Sequence, residues 1–579
     1  MTKGVFWCNE CKTAIYGENL AHCSKCDEAV SYLTTDARPV FSRERRILQF
    51  YGYGPLTTDV VWKSSKSRFY YINGQSAALP FYPQLKDDLP TIAAHIHDSD
   101  HYDALDRQLI RKYRQQLQVN HTRLFQLEDE ALRFIEHAVR RFPRHEVLVS
   151  FSGGKDSTVV SDLACRALGR ADILHIFGDT KLEDENTYEY VQQFRKVNPL
   201  VPFFETRAEH DFHELVEDMG PPSRVMRWCC TIFKTGPINS MLQSFGRQKV
   251  LTFYGIRRDE SVRRSNYHKM SWNDPDRLGV VVKVDQDDEL SGVTVGAKIG
   301  QQATASPIID WTEFDVWNYI LNYDLLFNKS YRLGFSRVGC WPCPLNSQWS
   351  ELLTSIFFPE DAMRWRAQLV NFARRIGKPD PEEYIDERGW TKRFGGAGMP
   401  NRFAGLETRA CGDMANAVQV EINRPVSVEL EEFLKPLGKI NRDRSRPALG
   451  EIYLEGRPNQ DWDALIVQAP ENSTVLRFTV INPKQAMRQL TWYFKHQAAK
   501  FQTCIQCTAC AAVCPHGAIT IKPDMQVYKI DQDACTGCME CVTHFDSAGC
   551  LVAKSLSVFG KAATDDNLIP LAAVAASAV

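Results

Sequence analysis

The sequence predicts an α/β protein built on a doubly wound parallel sheet, with a cysteine-rich metal module near each end. Three observations predict it. From Glu146 onward, short β-branched runs alternate with helical patterns, the rhythm of strands joined by crossover helices. The first run breaks into a glycine-containing turn, "VLVSFSGGKDSTVV", and resumes as an amphipathic helix. Sixteen of the 18 cysteines fall in pairs or closer clusters.

Composition sets the class. The 579 residues are enough for several domains, and 44% hydrophobic with 24% charged residues is ordinary for a soluble globular protein. A net charge of −2 excludes a molecule that is basic throughout. Local basic runs exist at Arg140–His145, Arg257–Arg264 and Lys439–Arg446, and each reads as a solvated face or as a groove. No stretch is long and apolar enough to span a bilayer. Paired cysteines stand where a signal peptide would need its apolar core. Clustered cysteines without an export signal read as metal ligands in a reducing cytoplasm.

The elements follow in order. Residues 1–35 carry "CNEC" (Cys8, Cys11) and "CSKC" (Cys23, Cys26). Two such knuckles surround one tetrahedral ion, so we expect a zinc ribbon, with an iron–tetrathiolate site as the rival. Residues 36–101 read as a small β-containing unit with a hairpin turn at Asn73-Gly74. Its end, "AHIHDSDH", gathers His95, His97, Asp98, Asp100 and His101 in what reads as a polar linker.

Residues 102–378 begin with helical periodicity to Arg141. Then "EVLVSF", "ADILHIFGDT", "PFFETR" and "VLTFYGIR" read as strands, with helices between the first three. Ligands in such sheets bind beyond the carboxyl ends of the strands. Residues 379–495 form a mixed α+β segment with no legible chemical motif, ending in a helix that starts near Pro483. Residues 496–555 hold the densest cysteines, and 556–579 form an apolar tail too short to span a membrane.

"CIQCTACAAVCP" places Cys504, Cys507, Cys510, Cys514 and Pro515 at the spacing of a bacterial ferredoxin. A second run supplies Cys535, Cys538, Cys541 and Cys550, the last at a longer spacing and without the proline. In two-cluster ferredoxins the fourth cysteine of each run serves the other cluster. We therefore expect Cys504, Cys507, Cys510 and Cys550 on one [4Fe–4S] cube, and Cys535, Cys538, Cys541 and Cys514 on the other, with His544 as an alternative ligand. Adjacent Cys229-Cys230 and the pair Cys340, Cys343 suit a third cube, because neighbouring side chains diverge and reach different corners. Buried core thiols beside a zinc or empty pair are the other reading. Cys165 reads as a core thiol and Cys411 as a plain thiol or a sulfur relay.

In the turn, Gly153 and Gly154 let the backbone approach an anion, and the next helix presents free N–H groups. Ser152 and Ser157 add hydroxyls, Lys155 supplies positive charge, and Asp156 holds the turn or a magnesium ion. The pattern is not G-x-x-x-x-G-K-[ST].

"SGGKDS" resembles the PP-loop of ATP pyrophosphatases, of the adenine nucleotide alpha hydrolase-like fold. "GDTKLEDENT" (Asp179, Thr180, Glu185, Thr187), "GIRRDESVRR" (Gly255, Arg257, Glu260, Ser261, Arg264) and "SPIIDWTEFDVWNYI" resemble the phosphoadenosine-phosphosulfate reductase-like branch of that family. The likeness spans roughly residues 145–350. It implies ATP on Ser152–Ser157, Asp179, Thr180, Glu185, Gly255, Glu260 and Ser261, with Lys155, Asp156, Arg257 and Arg264 acting on the phosphates or the acceptor.

Branch members differ in reaction. Sulfonucleotide reductases use a cysteine in Glu-Cys-Gly-x-His. The nearest segment here is "MECVTHF", whose Cys541 is already a cluster ligand. The core also resembles the DndC/SspD-type proteins of DNA phosphorothioation. That resemblance implies ATP cleavage to AMP and pyrophosphate, adenylation of an oxygen, and its replacement by sulfur. The implied cofactors are ATP, Mg2+, up to three [4Fe–4S] clusters and Zn2+. The implied partners are a cysteine desulfurase, other phosphorothioation proteins, DNA and an electron donor, with no membrane. A sulfonucleotide reductase, a tRNA thiolation enzyme and a non-catalytic electron-transfer subunit are the alternatives.

Overall fold

A continuous apolar run, Val147-Leu148-Val149, draws Glu146–Ser150 into the middle of a six-stranded sheet. The computed structural model describes residues 2–97, 102–244, 249–260, 262–272, 302–393, 406–412, 414–458, 460–482, 487–545 and 549–556. Packing divides the chain into two units.

The first unit comprises Met1–Thr206, Gln248–Val281 and Gln301–Trp365. Strands in its main sheet run in the order Phe203–Arg207, Leu174–Asp179, Glu146–Ser150, Val250–Tyr254, Gln302–Ala305, Met270–Trp272. Glu146–Ser150 pairs in parallel with both Leu174–Asp179 and Val250–Tyr254, which pairs in parallel with Gln302–Ala305. The short edge strand Met270–Trp272 is antiparallel. Chain order reverses direction between Glu146–Ser150 and Val250–Tyr254, so a switch point lies there. Helices Lys155–Leu168, His121–Arg141 and Glu313–Asn322 cover the sheet, burying Val159, Leu163, Ile135, Trp317 and Ile320 in one core with Val149 and Phe253.

Ahead of that sheet, Lys3–Cys8, Thr13–Glu18 and Val30–Thr34 form a three-stranded antiparallel sheet. A four-stranded antiparallel sheet follows, its last hairpin turning at Asn73-Gly74 with both residues at positive φ. Those angles give the turn whose twist matches the strands. His95 and His97 close the helix Leu89–His97, so the start of "AHIHDSDH" is helical rather than linker; Asp98, Asp100 and His101 lie outside the described residues. Apolar Ile92 and Ile96 sit one turn apart and are fully buried, which carries the helix through.

The second unit comprises Arg207–Arg247, Val282–Gly300 and Arg366–Val579. The segment without a motif folds as a six-stranded sheet of antiparallel neighbours, from Glu407–Cys411 to Lys439–Ile440. It cradles the cysteine-rich module. Phe433 stacks on Tyr528 with ring centres 4.2 Å apart, Lys435 donates to the Ile530 carbonyl at 2.9 Å, and Arg457 to that of Gln532 at 2.9 Å. In the basic run here, Arg442 pairs with Glu431 and Arg444 lies 4.0 Å over the Tyr453 ring, so both are engaged within the fold. Among the described residues no helix is long and apolar enough to cross a membrane.

Candidate functional site

Two loops leave the carboxyl ends of the strands that flank the switch point. One is Ser152–Gly154 after Glu146–Ser150, and the other is Gly255–Glu260 after Val250–Tyr254. Gly153 has φ +70°, a conformation favouring glycine, and Gly154 caps the helix Lys155–Leu168 in an extended conformation. The first N–H groups of that helix have no intrahelical acceptor. Lys155 N–H donates to the Tyr331 hydroxyl at 2.9 Å. Ser152 N–H and Oγ lie 3.2 Å from Ser157 Oγ, which donates to the Gly154 carbonyl at 2.9 Å. The turn is thus held open by its own hydroxyls.

The loops touch. A Cβ on Gly255 would meet the Asp156 carbonyl carbon at 2.6 Å and Ser157 N at 2.7 Å. Only glycine fits there. The approach brings Arg257 Nε to 2.6 Å from Asp156 Oδ1. Lys155 Nζ donates to the Ser336 carbonyl at 2.8 Å and lies 3.5 Å from Asp156 and 3.4 Å from Glu313. Lys155 and Arg257 are buried, so two cations and two carboxylates form a compensated inner cluster. Burial alone would push the Asp156 carboxyl up; Arg257 and Lys155 pull it down to about 2. Burial disfavours the Lys155 charge, but Asp156, Tyr331 and Glu313 outweigh it and the net shift is upward. Asp156 is therefore an ionised strut of the turn, clamped by two cations.

Glu260 pairs with Arg264, whose guanidinium is brought down to about 10 by burial and by Arg337. Asp179 accepts from Lys181 N–H at 2.8 Å and from the Tyr188 hydroxyl at 2.9 Å. Thr180 Oγ1 lies 3.1 Å from Glu183 and 3.3 Å from Cys340 Sγ. Glu185 is exposed on the first turn of its helix; its neighbour Asp184 is the buried cap, accepting from Thr187 N–H at 2.9 Å. Ser261 lies outside the described residues.

Three groups here were not singled out in the sequence, although Glu313 lies within "SPIIDWTEFDVWNYI". Asp36, from the four-stranded sheet region, accepts from Glu313 N–H at 2.8 Å and Phe314 N–H at 2.9 Å. Burial and Glu313 push its carboxyl up to about 8. Glu313 and Tyr331 complete the lining of Lys155. For Asp36 and Tyr331 a polar residue in an unremarkable stretch is the only sequence signal.

The metal modules are distinct. The ligand atoms of Cys8, Cys11, Cys23 and Cys26 all lie within 4.8 Å of one another, an arrangement that fits one tetrahedral ion. Backbone N–H groups of Lys25 and Cys26 overcome burial and bring the Cys23 thiol down to about 7. In the second unit, Cys504, Cys507, Cys510 and Cys550 line one cavity with Phe433, Ile521, Tyr528 and Phe545. Gln506 and Thr508, at positive φ, wrap the loop so that Gln506 N–H donates to Cys504 Sγ at 3.4 Å. Burial pushes the Cys541 thiol up to about 11, with Lys500 opposing and Cys510, Cys514 and Cys535 adding to it; burial also raises Cys538. His544 packs its ring on Phe545. The donor set, its apolar lining and its N–H to sulfur bonds fit iron–sulfur clusters.

Cys229 and Cys230 belong to the second unit, and Cys340 and Cys343 to the first. Cys230 is brought down to about 6 by a hydrogen bond with Cys229, against burial and helped by Arg227 and Lys234. The stretch that follows, Thr231–Thr235, is π-helical, and the helix Gly236–Ser244 continues it. This stretch packs on the cysteine-rich module: a Cβ on Gly236 would meet Thr508 Oγ1 at 2.7 Å, and His210 Nε2 lies 3.0 Å from the Gln506 carbonyl. Cys340 and Cys343 form a turn in which Cys343 N–H donates to the Cys340 carbonyl at 3.3 Å. Cys165 is half-buried on its helix, pushed up to about 11 by burial, and Cys411 ends an edge strand.

Sheet, switch-point loops and a cysteine-lined cavity thus mark an α/β domain and a cysteine-rich module. Comparison with known proteins finds a likeness for each part. Residues 146–346 match the phosphoadenosine phosphosulfate reductase domain, and residues 503–544 match the 4Fe-4S dicluster domain. Two uncharacterized proteins of Methanocaldococcus jannaschii are each 30% identical over 46% of this chain. The matched stretches are 48% and 57% of those relatives, so the chain spans about half their length. An adenosine 5'-phosphosulfate reductase of Staphylococcus haemolyticus is 26% identical over 37% of this chain and 76% of that protein. Among solved structures, a phosphoadenylyl-sulfate reductase from Candida auris aligns with TM-score 0.27 and 15% identity over 38% of this chain and 95% of its own. An NH3-dependent NAD synthetase from Campylobacter jejuni aligns with TM-score 0.24 and 13% identity over 47% and 96%.

Proposed function

We propose that this protein is an ATP pyrophosphatase that activates an oxygen for replacement by sulfur, and that the oxygen belongs to a DNA backbone phosphate. The observation that carries the first half is the clamped turn: a helix N-terminus beside Asp156, which Lys155 and Arg257 hold from two sides. Such a turn binds phosphates through its backbone. The buried cations fix its shape, while Arg264, paired with Glu260, stands partly exposed.

In the reaction, the acceptor oxygen attacks the α-phosphorus of ATP. A new O–P bond forms, the α–β bridge breaks, and pyrophosphate leaves. A sulfur delivered as a persulfide by a cysteine desulfurase then bonds to the activated atom as AMP departs. Two electrons cleave the persulfide S–S bond. The [4Fe–4S] clusters would relay those electrons from an external donor. Packing of the helix after Cys229-Cys230 on the Cys504–Cys510 loop, at Gly236 against Thr508, supports such a relay. Mg2+ would neutralise the departing phosphates, and Asp179 is a nearby carboxylate. Activity is expected in the cytoplasm, where thiols stay reduced.

A sulfonucleotide reductase is the second reading, favoured by the matched domain and the reductase relatives. Against it, Cys541 is buried in the cluster module, acted on by Cys514 and Cys535. Mass spectrometry of nuclease-digested DNA from cells with and without the gene separates the readings. Phosphorothioate dinucleotides that vanish with the gene support the DNA acceptor; unchanged DNA moves the acceptor to tRNA or a sulfonucleotide.

A further inference from the structure

Lys500 lies on the helix Met487–Thr503 and is only 2% exposed. Its amine donates to the Cys541 carbonyl at 3.2 Å. Among the described residues it has no carboxylate partner. Burial disfavours its charge, and the thiols that favour it are Cys541, of the other set, then Cys510, Cys550 and Cys504. It also lines the cavity of Cys504, Cys507, Cys510 and Cys550.

An ammonium buried without a counter-ion costs several kcal/mol and ordinarily sheds its proton. Among the described residues, the compensating charge on offer is that of the cavity. A cube held by four thiolates is anionic, and adding an electron makes it more so. Burial among Phe433, Ile521 and Phe545 opposes that extra charge. An adjacent cation offsets the penalty and favours the reduced state. Tyr528 adds to it: its buried hydroxyl lies 3.6 Å from Cys510 Sγ, and hydrogen bonds to sulfur act in the same direction. Cys538, of the other set, is exposed.

We propose that Lys500, buried between the cavity of Cys504, Cys507, Cys510 and Cys550 and the backbone of Cys541, is the counter-charge of this module and raises the reduction potential of the cluster it adjoins. The inference depends on the two-cluster reading of this module and is independent of the ATP chemistry.

The test is a redox titration of the full chain with its clusters, poised with dithionite and followed by electron paramagnetic resonance. Iron and acid-labile sulfide are measured alongside, so failure of the two-cluster reading shows in the metal content. Lys500→Met and Lys500→Gln are expected to keep their iron and to lower the reduction equilibrium constant of one cluster at least tenfold, about 59 mV for one electron. Lys500→Arg is expected to stay near the parent protein. Neutral variants that lose iron while Lys500→Arg keeps it also support the role, since charge is then what assembly requires. Unchanged midpoints in iron-replete neutral variants overturn the proposal. So does a Lys500→Arg variant that loses iron as the neutral ones do.

Discussion

Replacing Asp156 by asparagine removes one charge from the middle of the inner cluster while leaving its volume. Asp156 Oδ1 accepts from Arg257 Nε at 2.6 Å, and Lys155 Nζ lies 3.5 Å from Oδ2. The carboxyl sits at about 2 in the fold, against an ordinary 3.8. That difference, 3.8 − 2 = 1.8, converts to about 2 kcal/mol of stability at neutral pH. A folded value below the unfolded one means the contribution is present above pH 4 and lost as pH falls through 2. Breaking a buried pair also strands its partners, which costs about 3–5 kcal/mol. Asp156→Asn should therefore lower the stability of the first unit by about 2–5 kcal/mol, or roughly 5–15 °C in its unfolding transition. The assay is thermal unfolding followed by tryptophan fluorescence, for Asp156→Asn, Arg257→Gln and the double variant. The double variant should be more stable than the sum of the singles predicts, by at least about 1 kcal/mol. Singles that leave the transition in place, or that add without coupling, would refute the clamp.

Three further outcomes follow from the same geometry. Gly255→Ala drives a Cβ against the backbone of Asp156 and Ser157, so it should cost about 1–3 kcal/mol and weaken nucleotide binding by calorimetry. His175 is held at about 4 by burial between Ser161 and the Ile173 carbonyl, below its usual 6.5. It stays neutral in the fold, so stability should fall by about 3 kcal/mol as pH drops from 6.5 to 4, and His175→Gln should flatten that slope in urea titrations. Elemental analysis should find one zinc held by Cys8, Cys11, Cys23 and Cys26; Cys23→Ser should release it and shift the emission of buried Trp7.

What the sequence made legible was local. The strand–turn–helix from Glu146 to Leu168 announces itself because β-branched residues, glycines and an amphipathic helix occur in unbroken order. The Asn73-Gly74 hairpin and the paired cysteines are legible for the same reason. "TEFD" in the family-like element has a plain physical role: Thr312 and Asp315 form a capping box, and Asp315 also holds Arg123. Contacts between distant stretches were not legible. Asp36 reaches a helix 277 residues away, and Tyr331 meets Lys155 across 176. Lys500 reads as a surface residue of an amphipathic helix until the cysteine loops close around it. The segment before the ferredoxin-like run has no legible motif, and its packing on Tyr528 and Ile530 shows only in the fold.

The central claim is that the clamped turn serves cleavage of ATP between its α and β phosphates. It is tested most directly by the products of ATP turnover by the full chain with its clusters intact, supplied with DNA and a cysteine desulfurase. ATP labelled at the α-phosphorus should give AMP and an equal amount of pyrophosphate, and Asp156→Asn should give neither. Release of ADP and inorganic phosphate would contradict the account.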